Sequence, residues 1–347
     1  MSIATKPFGK TKDGKEVTLY EITNKNDMTV SFLDLGAVIV NLVIPDKNGK
    51  RDDIVLGYDN VAQYEENGAS YGAFLGRQSN RVAGASFTIN GETYHLEKND
   101  GNNCLHSGHP GFHRVMYKAE TTDNSITFSR ISPDGEQGFP GNLTVSVTYT
   151  VTDDNELQID YKAVSDKDTL CNLTNHSYFN LKGHDGGTIL DHEVTICANG
   201  FTETSDELIP TGKIVDVTGT PMDFRKKKAL GKEIGADYKP LHQGNGYDHN
   251  FVLDKGEGVF GKAAEVSEVT SGRKMEVYTD LPGMQMYAGN FIGREPGKNG
   301  VTYENRTGVC FETQLFPNSM HIPEFKSSLL KAGEEFQSRT VYKFSWN

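Results

Sequence analysis

Hydrophobic and polar positions alternate in short runs along the whole chain, the two-residue period of half-buried strands. Leu143, Val145, Val147, Tyr149 and Val151 share one face of a run at 143–151. Asp153-Asp154-Asn155 then turns the chain into Leu157, Ile159, Tyr161 and Ala163, a second run of the same kind. Met275, Val277 and Thr279 repeat the pattern before a turn at Pro282-Gly283, and 309–315 and 340–346 do so again. Residues 28–45 are rich in Val, Ile and Leu, with Gly36 predicted as a bulge or kink. At 86–96, Asn90-Gly91 between Phe87-Thr88-Ile89 and Thr93-Tyr94-His95 is a strong hairpin signal. Helical periodicity is thin. Its best segment, 226–238, is lysine-rich, interrupted by Gly231 and Gly235, and predicts one surface turn of helix. With no linker or repeat to divide it, the pattern predicts one large antiparallel, all-β domain over residues 1–347.

One run carries more than packing information. Residues 172–181 read Asn-Leu-Thr-Asn-His-Ser-Tyr-Phe-Asn-Leu. As a strand this places Asn172, Thr174, His176, Tyr178 and Asn180 on one face and Leu173, Phe179 and Leu181 on the other, with Asn175 and Ser177 among them. A polar face centred on an imidazole suits the wall of a wet, sugar-sized cavity. A core histidine satisfied by its neighbours is the alternative that this segment alone leaves open.

Composition narrows the partners. The 347 residues carry a formal net charge of −12, which opposes binding to nucleic acid or an anionic membrane. The first ten residues hold no apolar signal core, and the most apolar run, 36–45, is short and broken by Asn41. A soluble cytoplasmic protein is the expectation. Cys104, Cys171, Cys197 and Cys310 lie far apart without a Cys-x-x-Cys pair, and are expected to be reduced and mostly buried rather than bridged or zinc-bound.

Four further stretches hold candidate chemistry. In 76–84, Asn80 and Arg81 offer an amide and a planar cation that can fork onto vicinal hydroxyls, or form a salt bridge. In 101–113, His106, His109 and His113 invite a metal reading, but Gly108, Pro110 and Gly111 forbid the helix that would gather them, so no metal is expected. A loop presenting His106 to a ligand, with His109 and His113 left to solvent, fits better. In 244–253 a glycine loop runs into a strand at Asp248, placed to accept hydrogen bonds from a ligand or to make an Asx-turn. In 309–317 Glu312 is a lone acid inside an apolar strand. Burial there would lift its pKa from roughly 4.3 toward neutrality, where a general base works best.

Taken together, these stretches resemble the aldose 1-epimerase (galactose mutarotase) family. The matching pieces are Gly-Arg-Gln-Ser-Asn-Arg-Val-Ala-Gly-Ala-Ser-Phe (76–87), Asn-Cys-Leu-His (103–106), Asp-Gly-Glu-Gln-Gly-Phe-Pro-Gly-Asn-Leu (134–143), the 172–181 run, Tyr-Asp-His-Asn-Phe-Val-Leu (247–253) and Phe-Glu-Thr-Gln (311–314), six in order over nearly the whole chain. The resemblance implies a β-supersandwich of large antiparallel sheets with few short helices. It also implies a cofactor-free interconversion of the α and β anomers of a free aldohexose; the sequence leaves monomer and homodimer both open. It assigns His176 as general acid, Glu312 as general base and His106 as a second histidine at the reacting end. Asn80, Arg81, Ser177, Tyr178, Asp248 and Gln285, together with His106, become substrate contacts. Ser107 and Asn318 depart from the Gly and Asp usual in the family.

Rival readings are a hexose-6-phosphate epimerase, which would want extra cations around its pocket, and a glycosidase, which would want two flanking carboxylates. A non-catalytic sugar-binding protein would need neither His176 nor Glu312.

Overall fold

The computed structural model describes residues 2–256 and 258–347. Strands dominate, every ladder between named strands is antiparallel, and three large sheets carry the fold. A five-stranded N-terminal sheet runs Ser2–Lys10, Glu16–Thr23, Thr29–Leu33, Ile39–Pro45, Arg51–Asp53 in sequence order. A nine-stranded sheet is ordered Lys118–Thr121, Ser125–Ser132, Leu143–Val151, Glu156–Ser165, Glu335–Trp346, Arg273–Thr279, Gly261–Ser267, Glu193–Ile196, Lys228–Ala229. A second five-stranded sheet is ordered Pro210–Asp216, Ala198–Thr204, Asp248–Leu253, Gly283–Tyr287, Cys310–Gln314. The largest of three apolar clusters draws residues from all three sheets, including Phe32, Tyr149, Tyr161, Phe251, Phe311 and Phe344.

The predicted alternation sits where expected. In Leu143–Val151 every odd residue is buried and every even one is not. Asn90 and Gly91 both take positive φ (53° and 83°), the two-residue turn joining Ser86–Ile89 to Glu92–His95. Gly36 lies in the turn between two strands rather than in a bulge. At φ +72° its α-carbon packs so closely on the His113 backbone that a Cβ would lie 2.2 Å from the carbonyl oxygen.

Helix falls elsewhere than predicted. Residues 226–238 hold a two-residue strand and a short 3-10 turn, while the α-helical segments are Val61–Glu66 and Lys239–Gln243. Asn60 caps the first by accepting from the Gln63 N–H, and Pro240 opens the second. No helix among the described residues is long and apolar enough to cross a membrane. All four cysteines are free, three of them buried.

The 172–181 run is not one long strand. Only Thr174–His176 is laddered, against Ala73–Leu75. Asn172 bridges Gln78, and Phe179 bridges Val55 and Val309. The segment threads between sheets, so its polar row does not form one wall. Asn172 and Asn180 tie loops by donating to Leu315 O and to Gly187 O and Thr307 O.

Candidate active site

Three neighbouring strands of the second five-stranded sheet lay down one side of the site. Asp248 pairs with Tyr287, and Gln285 with Glu312, so the ladder brings Asp248, Gln285, Tyr287 and Glu312 together. His176 arrives from the Thr174–His176 strand, its Nε2 3.5 Å from Glu312 Oε1. A two-stranded ladder supplies the other side, with Arg81 opposite Leu105 and Asn80 and His106 just beyond. These residues line a cavity of ≈ 470 Å³, large enough for a monosaccharide.

Local backbone geometry aims the loop residues. Asn80 and His106 both take positive φ, 59° and 51°. They lock each other: His106 N–H donates to Asn80 O at 3.0 Å, and Asn80 N–H donates to His106 Nδ1 at 3.1 Å. That second bond leaves the proton of a neutral His106 on Nε2. Arg81 Nε donates to Asp100 at 2.7 Å.

Tyr178 and Tyr287 pack beside His176, with ring centroids 5.0 and 6.1 Å away, and His106 stands edge-on at 5.4 Å. A chain of amides holds Asp248. Gln285 Nε2 donates to Asp248 Oδ1 at 2.6 Å, and Gln314 Nε2 donates to Gln285 Oε1 at 3.3 Å.

Burial governs the electrostatics. It pushes Glu312 well above the usual carboxylate range, helped by the nearby Asp248 and opposed by Arg81. Asp248 is raised by burial too, with Arg81 and the Gln285 hydrogen bond working against it. Burial drives His176 down to about 4, against a smaller opposing hydrogen bond to its own backbone. His106 is held well below its ordinary value by burial, then by His176 and Arg81. Glu312 Oε2 is buried without a hydrogen-bond partner among the described residues.

The donor atoms of His106, His176 and Glu312 lie within 4.8 Å of one another, a spacing a metal ion could use. The hydrogen bond from Asn80 argues for another use, because it turns a neutral His106 into an Nε2–H donor rather than a ligand.

Most of the predicted contacts converge here: Asn80, Arg81, His106, His176, Tyr178, Asp248, Gln285 and Glu312 all line the cavity. Ser177 does not. It is buried on the opposite face of its strand, where its hydroxyl donates to Asn175 Oδ1 at 2.6 Å. That is the face alternation gives it.

His109 is exposed and paired with Glu97, but His113 is buried at 3% exposure rather than solvated, because the 3-10 turn Phe112–Arg114 packs inward on Ala73–Leu75. Neither departure residue touches the cavity. Ser107, at φ +68° in a region that favours glycine, exchanges hydrogen bonds with the Gln78 backbone. Asn318 accepts from Ala83 N–H and donates its own N–H to Arg81 O, bracing the Arg81 strand.

Several lining residues had no local signal. Asp206, Glu207 and Leu208 reach in from the turn at 205–209, and Phe291 and Ile292 from the loop after Tyr287. Asp100 follows Arg81 through their ion pair.

A paired imidazole and carboxylate in a sugar-sized cavity, on large antiparallel sheets, define an isomerase that works by moving protons. The chain belongs to the aldose 1-epimerase family, whose model matches residues 18–343. It is 42% identical over 347 residues to the galactose mutarotase of Mus musculus, covering 99% of each chain. It is 36% identical over 336 residues to the aldose 1-epimerase of Escherichia coli, covering 96% of each. Among solved structures, an aldose epimerase homologue from C. elegans superposes with a TM-score of 0.87 at 32% identity, covering 94% of this chain and 98% of that one.

Proposed function

We propose that this aldose 1-epimerase interconverts the α and β anomers of free aldohexoses, galactose and glucose among them, with Glu312 and His176 exchanging the two protons. The observation that carries the reading is the 3.5 Å approach of His176 Nε2 to Glu312 Oε1, with Glu312 Oε2 unpartnered beside them. Ring opening removes a proton from the anomeric hydroxyl while another reaches the ring oxygen. Glu312 takes the first and His176 Nε2–H gives the second, each transfer supplying roughly a hundred- to ten-thousand-fold. The aldehyde turns about its C1–C2 bond and recloses on the other face with the roles reversed.

The ionisation fits this cycle. Burial disfavours both charges, lowering His176 and raising Glu312, so the neutral form of each is favoured. Neutral Glu312 with neutral His176 contains as many protons as the working carboxylate–imidazolium form, so reaching the latter takes no net proton from solvent. His106 Nε2–H, Arg81, Asn80, Tyr178, Asp248 and Gln285 serve as hydroxyl contacts. The lining carries five carboxylates (Asp100, Asp206, Glu207, Asp248, Glu312) against the single arginine Arg81, itself paired, which favours a free sugar over a sugar phosphate. The common core supports reading residues 1–347 as one domain.

The test is polarimetry on freshly dissolved α-D-galactose and α-D-glucose without added cofactor. Faster rotation change than buffer alone supports the reading. No acceleration with either sugar overturns it.

A further inference from the structure

The proton-transfer pair has a neighbour that the reaction scheme leaves idle. Cys310 lies two residues before Glu312 on the same strand, so the two side chains leave the sheet on the same side. Its sulfur is 3.5 Å from Nδ1 of His176, the ring nitrogen turned away from Glu312, a hydrogen-bonding distance for a thiol. The thiol is fully buried, and burial, with Glu312 and Asp248 adding to it, pushes Cys310 well above its ordinary range, so the S–H is kept.

A thiol is both a weak donor and a weak acceptor. With His176 neutral and the S–H donating to Nδ1, the ring proton sits on Nε2. With His176 protonated, Nδ1–H points at sulfur and Nε2 again carries hydrogen. We infer that Cys310 is a positioning residue whose thiol, bonded to Nδ1, keeps the His176 proton on Nε2 and so fixes His176 as the acid and Glu312 as the base. This rests on the roles proposed above for that pair.

The device has a purpose because the pair is nearly symmetric. A neutral His176 in the other tautomer would present a bare Nε2 to a protonated Glu312, with the same proton count and the roles exchanged. A carboxylate in place of the thiol would also hold the tautomer, but would strengthen the ring's grip on its proton and weaken it as an acid. Sulfur orients without doing so. The other titratable or charged groups around the ring are Glu312 at Nε2, His106 edge-on, Tyr178 and Tyr287 against its faces, and Arg81 and His113 beyond His106. The side-chain hydrogen bond to Nδ1 comes from Cys310.

The experiment combines ¹⁵N-histidine NMR on the full chain, with the His176 signals assigned by His176→Asn, and kinetics of Cys310→Ser and Cys310→Ala. The expected wild-type spectrum at pH 7.5 has a protonated Nε2 and a bare Nδ1. Cys310→Ser, which keeps a donor and acceptor, is expected to retain the tautomer and kcat within about threefold. Cys310→Ala is expected to lower kcat about tenfold or more with KM within about threefold, and to move the pH limb of kcat.

A wild-type spectrum with a bare Nε2 overturns the inference, and so does an alanine variant with unchanged kcat and pH profile. Equal losses in serine and alanine also overturn it, since they report packing alone. If the alanine variant does not fold, the wild-type spectrum and the serine variant decide. Failure of the underlying acid–base roles shows separately, as turnover surviving in His176→Asn.

Discussion

Gln285 stands directly across the sheet from Glu312, and its amide nitrogen holds the Asp248 carboxylate at 2.6 Å. The ladder that places the proposed base, Glu312, thus also places a second acid close enough to raise its proton affinity. Gln314 continues the chain by donating to Gln285 Oε1, so Asp248 is set by amides that do not titrate.

Removing the base gives a catalytic and a stability prediction. Glu312→Gln is expected to lower kcat at least a hundredfold while sugar affinity stays within a few-fold. The folded-state pKa of Glu312 is raised, so the folded protein binds more protons than the unfolded chain above about pH 4.5, and wild-type stability falls as pH rises from there. The glutamine variant escapes that loss. Urea denaturation is expected to show it gaining on wild type between pH 5 and 8; a constant gap would contradict the buried, protonated carboxyl.

Arg81 pulls the other way. Its charge lowers both Glu312 and Asp248, so Arg81→Met is expected to move the Glu312-controlled limb of kcat/KM to higher pH. Losing a charged donor to the sugar also raises KM by about tenfold. A pH–rate profile that superposes on wild type would remove Arg81 from the pair's electrostatics.

Acid lability is expected to begin above the carboxylate range. His176 and His249 are held down to about 4 by burial, while their unfolded counterparts protonate near 6.5. Between those values only the unfolded chain takes up protons, so the stability present above pH 6.5 is lost as pH falls, by about 3 kcal/mol for each ring once below 4. His106 and His113 act in the same direction. Denaturation midpoints from pH 7.5 to 4.5 are expected to drop steeply, and less steeply in His249→Gln. An equal slope in the variant would show that His249 does not contribute.

The acidic residues of the 205–209 turn are expected to disfavour anionic sugars. Asp206 and Glu207 face the cavity from the 205–209 turn, tethered by Gln243 and Asn103. Asp206→Asn with Glu207→Gln is expected to leave kcat/KM for galactose within about threefold and to raise that for a hexose 6-phosphate several-fold, more so at low ionic strength. If phosphorylated sugar were already the better substrate of the wild type, the turn would not be disfavouring it.

How much of this could be read from the sequence depended on how local each cause is. Asn90-Gly91 and the alternation of 143–151 act over two to nine residues, and both appear where expected. The functional set was legible through motif resemblance and one physical anomaly, an acid in an apolar strand at Glu312. Period-two reasoning placed His176 and Tyr178 together and, followed strictly, already sent Ser177 to the other face. It could not reveal that 172–181 threads between sheets, nor that His113 is buried, because both depend on which distant strands pack against them. Asp206, Glu207 and Phe291 were invisible for the same reason: they are ordinary turn residues until tertiary structure swings them to the cavity.

The strand Glu335–Trp346 lies in the middle of the nine-stranded sheet, between Glu156–Ser165 and Arg273–Thr279. It also reaches the strand that carries Glu312, since Tyr342 donates its hydroxyl proton to Phe311 O at 2.8 Å. A nascent chain on the ribosome therefore holds two half-sheets with unpaired facing edges until about residue 346 has emerged. Those open edges are the aggregation-exposed surfaces of such an intermediate, and the 335–346 strand closes both at once.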